Sequence, residues 1–279
     1  MKLQPKQIFR RWFTGDVNIS NESFRRWHVV LAAVASIQAV AVVLFGAPHN
    51  VAFMAQYLTK DTLQSQLLHH TVLAPGIRQL FTLNIAYILA GCLLVLAAAH
   101  TLFATVCRTQ YEASLKQRTM RFRWILYGLT FAAVMTSSAL VAGVYDIEAL
   151  AAVVAFCLIA ALSASVLETL GSLPAKHQSR LYAGVLVTAA GAVAMPFVLI
   201  IWFVLVTGMF GDSSAVWYVY VTLATAAVWS AAVAGNAYLI QQKRGKWVNY
   251  AYGERWYMVL AIVLQSLVVW EVFLAVLKP

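Results

Sequence analysis

The sequence predicts an all-α membrane protein with seven transmembrane helices. Three observations support this prediction: the composition, the length of the apolar segments and the distribution of basic residues. Apolar types make up 62% of the 279 residues and charged types only 11%, whereas a soluble domain has about 25% charged residues. A soluble fold of this length would need much more polar surface, so the composition excludes an ordinary soluble protein.

Seven apolar segments are long enough to cross a bilayer, because a spanning helix needs about 20 mostly apolar residues. Most are continuous, rich in Leu, Val and Ala, and bounded by charged or turn residues. The strands of a membrane barrel are shorter and alternate polar with apolar residues, which these segments do not do. The predicted spans are 29–47, 79–105, 122–145, 147–171, 182–208, 215–241 and 256–277.

Outside these spans the chain forms an N-terminal segment and the connections between helices. Residues 1–28 mix aromatic with basic side chains, which favours a segment lying on the membrane surface; a partly disordered tail is the alternative. Residues 29–279 form the transmembrane domain. The connection 48–78 is the longest and predicts a short hairpin or a cap over the bundle. A tight turn at Asp146 joins the third and fourth spans, and Pro196 predicts a kink in the fifth.

The basic residues lie at one end of the predicted bundle. Every Lys and Arg except Lys60, Arg78 and Lys278 falls before the first span or in the connections that share its side. Cytoplasmic loops carry the Lys and Arg excess, so we expect a multi-pass protein of the cell membrane with the N-terminus inside and the C-terminus outside. The net charge of +10 thus indicates topology and contact with anionic lipid headgroups. Nucleic acid is not an expected partner.

Several stretches resemble heliorhodopsins. The stretches 246–250 (KWVNY) and 253–257 (GERWY) are similar to the segment that leads heliorhodopsins into their last helix. The stretch 122–124 (FRW), followed by Tyr127, resembles the start of their third helix, and 111–115 (YEASL) the loop before it. Heliorhodopsins also have seven helices with the N-terminus inside. The resemblance therefore implies a rhodopsin-like bundle, and it covers nearly the whole chain.

The resemblance also exposes a departure at the retinal site. Heliorhodopsins bind retinal through a protonated Schiff base to a lysine midway along the last helix, and the matching position here is Gln265. The counterion carboxylate of the third helix is matched by Leu126, and a serine that assists it by Ala261. A histidine of the first helix is matched by Ala35, whereas that of the second helix is retained as His100.

The chemistry of the linkage leads to the same expectation. A Schiff base requires a primary amine, and the amide nitrogen of Gln265 is not nucleophilic at neutral pH. A buried carboxylate without its cation is costly, since breaking a buried pair costs roughly 3–5 kcal/mol; Leu126 removes that penalty. The sequence therefore predicts no covalent retinal. No lysine falls at bilayer depth in a predicted span; the lysines are Lys2, Lys6, Lys60, Lys116, Lys176, Lys243, Lys246 and Lys278.

An apolar pocket need not collapse when its covalent anchor is lost. Aromatic residues surround the expected pocket, although packing and interfacial belts are the commoner reasons for such residues. Retinal, a carotenoid or haem could then bind without a covalent bond. The candidate cofactor-binding residues are Gln265, Leu126, Ala261, Tyr127, His100, Trp124, Phe197 and Trp270.

The sequence indicates neither a metal site nor an enzyme. The three cysteines show no paired spacing, and only His100, His69 and His70 are weak candidates for metal or haem ligands. Glu168 and Glu271 are expected at the membrane surface. Because the spans show no paired carboxylates, no HExxH and no GxSxG, hydrolytic chemistry lacks its groups.

Three functions remain open. The leading hypothesis is a sensory or regulatory receptor that is not an ion pump and that acts with an unknown protein partner. The second is a photo- or redox sensor holding a non-covalent cofactor. The third is a small-solute transporter, against which the sequence shows no inverted repeat and no Gly/Pro-broken helix pair. Heliorhodopsins form dimers, so the resemblance implies a homodimer in the lipid bilayer.

Overall fold

The computed structural model describes residues 21–171, 179–211 and 216–278. This part of the chain consists of helices and one two-stranded sheet. In chain order they are α1 Asn21–Phe45, β1 Asn50–Lys60, α2 Thr62–Leu67, β2 Leu73–Asn84, α3 Ile85–Ala104, α4 Arg108–Gln117, α5 Arg121–Val141, α6 Ile147–Gly171, α7 Ser179–Phe210, α8 Trp217–Gln241, a 3₁₀ turn Gly245–Val248, α9 Tyr250–Val272 and a final π-helical turn Phe273–Leu277.

Seven of the described helices (α1, α3 and α5 to α9) are long and apolar enough to span a membrane. The predicted all-α, seven-span architecture is therefore confirmed. The first helix begins at Asn21 instead of residue 29, because Phe24 and His28 are buried in the bundle and extend it. The second spanning helix, α3, begins at Ile85 instead of residue 79, because residues 79–84 pair with β1 as part of a strand. Residues 1–20 of the expected surface segment lie outside the described residues.

The connection after α1 forms the predicted hairpin. β1 and β2 pair antiparallel, with a register shift between Phe53 and Met54. The Met54 N–H donates to the Tyr145 carbonyl at 3.0 Å, and Gln56 Nε2 donates to the Asp146 carboxylate at 2.7 Å. These bonds fix the sheet to the turn between α5 and α6. We call this side the hairpin end and the opposite side, where the basic residues lie, the basic end.

Asp146 begins α6 in the manner of an N-terminal cap. Its carboxylate accepts hydrogen bonds from the N–H groups of Glu148 and Ala149, at 3.1 and 3.4 Å. Burial opposes ionisation of this carboxyl, but the hydrogen bonds to Glu148, Gln56 and the backbone outweigh it and lower the pKa of Asp146. The preceding turn places Gly143 at φ 91°, a conformation that favours glycine.

The helices do not pack evenly. α5 is the most enclosed spanning helix of the described chain. It lies close against α6, where a Cβ added at Gly128 would stand 2.9 Å from the Ala161 Cβ. α6 packs along α7, and α8 along α9, whereas α7 and α8 scarcely touch. This uneven packing leaves a gap on the α7–α8 side of the bundle.

Candidate functional site

A cavity of about 690 Å³ lies between α6, α7 and α8, with side chains of α5 at its inner side. Its volume is in the range of small-molecule sites, roughly 300–1,000 Å³. Because α7 and α8 barely meet, the cavity adjoins the lipid-facing side of the bundle. Small side chains of the three helices create the space: Ala160, Ala161, Ala164, Ala189, Ala190, Ala231, Ala234 and Ala237.

Three stacked aromatic rings form the inner wall of this cavity. Tyr127 stacks on Trp229 with ring centroids 5.2 Å apart and planes 14° apart, and Phe131 lies 5.9 Å from Trp229. The Tyr127 hydroxyl donates to the Tyr257 carbonyl of α9 at 2.7 Å, and Trp229 Nε1 donates to the Leu260 carbonyl of α9 at 3.0 Å. The rings therefore stand between the cavity and α9.

Gln265 is not among the residues that line this cavity. Its side chain is 9% exposed and lines a separate cavity of about 20 Å³ between α3, α5 and α9, with room for about one water molecule. Thr130 and Ser137 are its other buried polar neighbours. The two cavities share no lining residue, so Gln265 does not reach the large one.

The structure places the other candidate cofactor-binding residues in different parts of the bundle. Trp124 and Tyr127 line the large cavity, and the Phe197 ring lies 6.3 Å from Phe131 at its wall. Leu126 is buried in a different cluster, which includes residues of α1, α3, α4 and α9. Trp270 is 39% exposed, towards the hairpin end. Ala261 is half-buried on α9.

His100 belongs to a pair that the sequence did not reveal. Its Nδ1 lies 2.9 Å from Nδ1 of His28 on α1, and both rings are buried. Phe103 and Tyr111 flank the His28 ring. His28 was missed because it lay in the segment assigned to the membrane surface. Its spacing of 72 residues from His100 gives no local signal.

The other two candidate histidines, His69 and His70, lie apart from this pair. His69 and His70 lie in the loop of the hairpin and are exposed, and His70 Nδ1 contacts the Leu68 carbonyl of the same loop. The described residues contain no group of three or more His, Cys, Asp or Glu side chains that could hold a metal ion.

A buried ion-pair cluster lies at the basic end. The Arg123 side chain is 3% exposed, and its Nη2 stands 2.7 Å from the Glu168 carboxylate while Nη1 bonds to Glu254. The guanidinium lies 4.2 Å from the ring centroid of Tyr257 and 5.0 Å from that of Trp124. The cluster joins α5, α6 and α9 through one cation.

Hydrogen bonds complete the cluster. Trp124 Nε1 and the Tyr250 hydroxyl both donate to Glu168, and the Tyr111 hydroxyl donates to Glu254 at 3.2 Å. Burial, with the neighbouring Glu254 carboxylate, holds the pKa of Tyr111 well above its ordinary value, so the phenol keeps its proton and remains a donor. The side chains of the cluster are thus largely satisfied.

The sequence does not predict this cluster. Glu168 is expected at the membrane surface, and its carboxylate, which is 14% exposed, pairs with Arg123. Glu254 lies just before the predicted last span, and together with Glu168 it flanks one guanidinium. Arg123 had been counted only as a basic residue of the connection. Glu271, which was placed at the surface too, is half-buried and accepts a 2.7 Å bond from Thr225.

The seven-helix bundle, with an apolar cavity between its later helices, defines a rhodopsin-like multi-pass membrane protein. The model of the heliorhodopsin family matches residues 24–277, which include all seven spanning helices except the first residues of α1. The chain therefore belongs to the heliorhodopsin family. Rhodopsin-like families normally bind retinal, and heliorhodopsins are not a known family of enzymes. No curated protein matches the chain.

Proposed function

We propose that this chain is a heliorhodopsin-family receptor that carries no covalent retinal and holds an elongated apolar ligand in the 690 Å³ cavity. One observation carries the proposal. The cavity that is large enough for a ligand has Tyr127, Phe131 and Trp229 in its wall and shares no lining residue with the small cavity beside Gln265.

The residues do not fit covalently bound retinal. A Schiff base needs a primary amine inside the bundle, and none of the lysines in the sequence falls within the seven spanning helices that the structure describes. The position on α9 that resembles the family's lysine is Gln265, beside a cavity of only about 20 Å³. A polyene attached there would have to displace the aromatic wall.

A non-covalent apolar ligand fits the larger cavity. Alanine methyl groups and aromatic faces line it, and it lies beside the gap between α7 and α8, through which a molecule dissolved in the bilayer could enter. Retinal or a carotenoid suits such a lining. Haem suits it less, because no histidine is among the described residues that line the cavity, and His100 is held by His28 on the far side of the bundle.

Trp124 connects the ligand cavity to the ion-pair cluster at the basic end. Its ring lines the cavity, while its Nε1 donates to Glu168 in the ion-pair cluster. A ligand that displaced Trp124 would disturb the contacts of Arg123 with α6 and α9. This coupling supports a receptor that signals to a protein partner better than it supports an ion pump or a solute transporter.

The proposal includes the arrangement in the membrane. The basic end faces the cytoplasm, where Lys and Arg are enriched, so the N-terminus is inside and the C-terminus outside. The protein forms a homodimer, as the family resemblance implies. Among the described residues that line the cavity, none is a nucleophile with a base beside it, which favours binding over catalysis.

Absorption spectroscopy tests the proposal. The purified protein is incubated with all-trans-retinal and then denatured in acid. We expect a retinal band that organic solvent removes completely from the denatured protein. Ala234→Phe, which places a ring in the cavity, should abolish the band, whereas Val228→Phe, at a position of the same helix that is 72% exposed and does not line the cavity, should not. An adduct that survives denaturation would refute the absence of covalent retinal, and a band insensitive to Ala234→Phe would refute the site.

A further inference from the structure

Most polar groups of the large cavity lie together at one end. Towards the middle of the bundle the lining includes Phe131, Cys157, Val193 and Trp229, whereas towards the basic end it includes tyrosine and glutamine side chains. Those polar residues are Tyr182, Tyr238, Gln241 and Gln242. Ser230 lines the cavity beside Trp229, but its hydroxyl donates to the Ala226 carbonyl of its own helix at 2.9 Å. An elongated ligand would therefore meet mainly apolar surface along its body and most of the hydrogen-bonding groups at one end.

Gln241 joins the three helices at this polar end. Its Oε1 accepts a 2.6 Å hydrogen bond from the Tyr182 hydroxyl of α7. Its side-chain carboxamide also lies near Gly171 at the end of α6, since a Cβ built at Gly171 would stand 3.9 Å from Gln241 Nε2. The amide Nε2 remains a donor that the bond to Tyr182 does not use.

Positive charge lies next to the same end. Lys243 and Arg244 follow Gln242 directly, and both side chains are exposed. The chain turns there, because Lys243 has φ 49°. Opposite charges within about 10 Å still attract at moderate salt. The amide donors and the two cations together favour an anionic headgroup.

The length of the cavity suits a single hydrocarbon chain. Along α8 the lining runs from Trp229 to Gln242, which at about 1.5 Å per residue is roughly 20 Å. One lipid chain fills half of a hydrocarbon core that is about 30 Å thick. A chain with its headgroup at the basic end would thus lie parallel to the lipids beside it.

We infer that the ligand is a long-chain carboxylic acid, with its apolar chain along α8 and its carboxylate at Gln241, Gln242 and the adjoining cations. This inference rests on the proposed function, because it names the chemical class of the ligand for the same cavity. The glutamine amides donate to the carboxylate, and Lys243 and Arg244 balance its charge.

Equilibrium binding to the full-length protein in nanodiscs tests this inference. The probes are tritiated stearic acid and its methyl ester, which have the same chain and differ in the charge of the head. We expect the acid to bind saturably and roughly tenfold more tightly than the ester, the scale of one hydrogen bond to a charged group. Gln241→Leu combined with Gln242→Leu should weaken binding of the acid more than binding of the ester and so reduce that preference, because a carboxylate loses more than an ester carbonyl when its amide donors are removed.

The outcomes separate the two proposals. Equal affinity of acid and ester, with both lost in Ala234→Phe and kept in Val228→Phe, would overturn the carboxylate headgroup and leave the apolar site standing. If neither probe binds saturably while the retinal band still depends on Ala234, the carboxylic acid is overturned and the apolar site stands. If Ala234→Phe changes neither the retinal band nor the binding of the probes, the cavity is not a ligand site and both proposals fail. Circular dichroism of each variant verifies that the helices are retained.

Discussion

Replacing Arg123 by methionine should strongly destabilise the bundle. The change leaves the carboxylates of Glu168 and Glu254 buried without their shared cation; the side chains of Arg123 and Glu254 are only 3% and 4% exposed. Removing one partner of a buried ion pair costs about 3–5 kcal/mol. The loss of the cation over the Tyr257 ring, 4.2 Å away, adds to this cost.

Equilibrium unfolding in mixed micelles, followed by circular dichroism as the denaturing detergent increases, measures the effect. Arg108→Met is the matched control. Its partner Glu112 and its own side chain are solvent-accessible, at 24% and 38%, and exposed ion pairs contribute little. Adding Glu168→Gln and Glu254→Gln to Arg123→Met should restore much of the lost stability, because no charge of this cluster then remains buried. A loss below about 1 kcal/mol for Arg123→Met would refute the desolvated cluster, as would a triple variant no more stable than the single one.

Three further changes have defined outcomes. His28→Leu leaves His100 without its partner and should cost about 1–3 kcal/mol, while adding His100→Leu should cost less than the sum of the single changes in a double-mutant cycle. Ser266→Ala removes the acceptor of a 2.7 Å bond from Gln38 and should cost only about 0.6 kcal/mol in the same unfolding assay. The lowered pKa of Asp146 means that its ionised form stabilises the fold above the ordinary pKa of about 3.9 and that this stability is lost as the pH falls through the folded-state pKa. Asp146→Asn should therefore weaken the acid dependence of unfolding, and an unchanged dependence would contradict this.

The sequence was sufficient for the architecture because the signals of a membrane fold are local. A continuous apolar segment of about 20 residues identifies a spanning helix wherever it occurs, and seven such helices are present in the described chain. The hairpin was also predicted. The start of the second span was misplaced because residues 79–84 are apolar enough for a helix, yet they pair with β1.

The candidate site was predicted only in part. Trp124 and Tyr127 do line the large cavity, since helical spacing and the family resemblance placed them together. Gln265 came from the same comparison, but the aromatic wall places it beside the smaller cavity. Nothing in the spacing of Tyr127 and Trp229 indicates that their rings stack, because the contact joins α5 to α8 across the bundle.

The sequence by itself determined the class of protein and the seven spans, because composition and long apolar segments encode them, and short local motifs carried the family resemblance. Only the tertiary structure revealed the His28–His100 pair, the cavity and the ion-pair cluster. Arg123 and Glu254 are 131 residues apart in the sequence. The residues next to each of them predict only a position at the membrane surface. Packing of α5, α6 and α9 buries both, and a buried charge is stable only beside its partner.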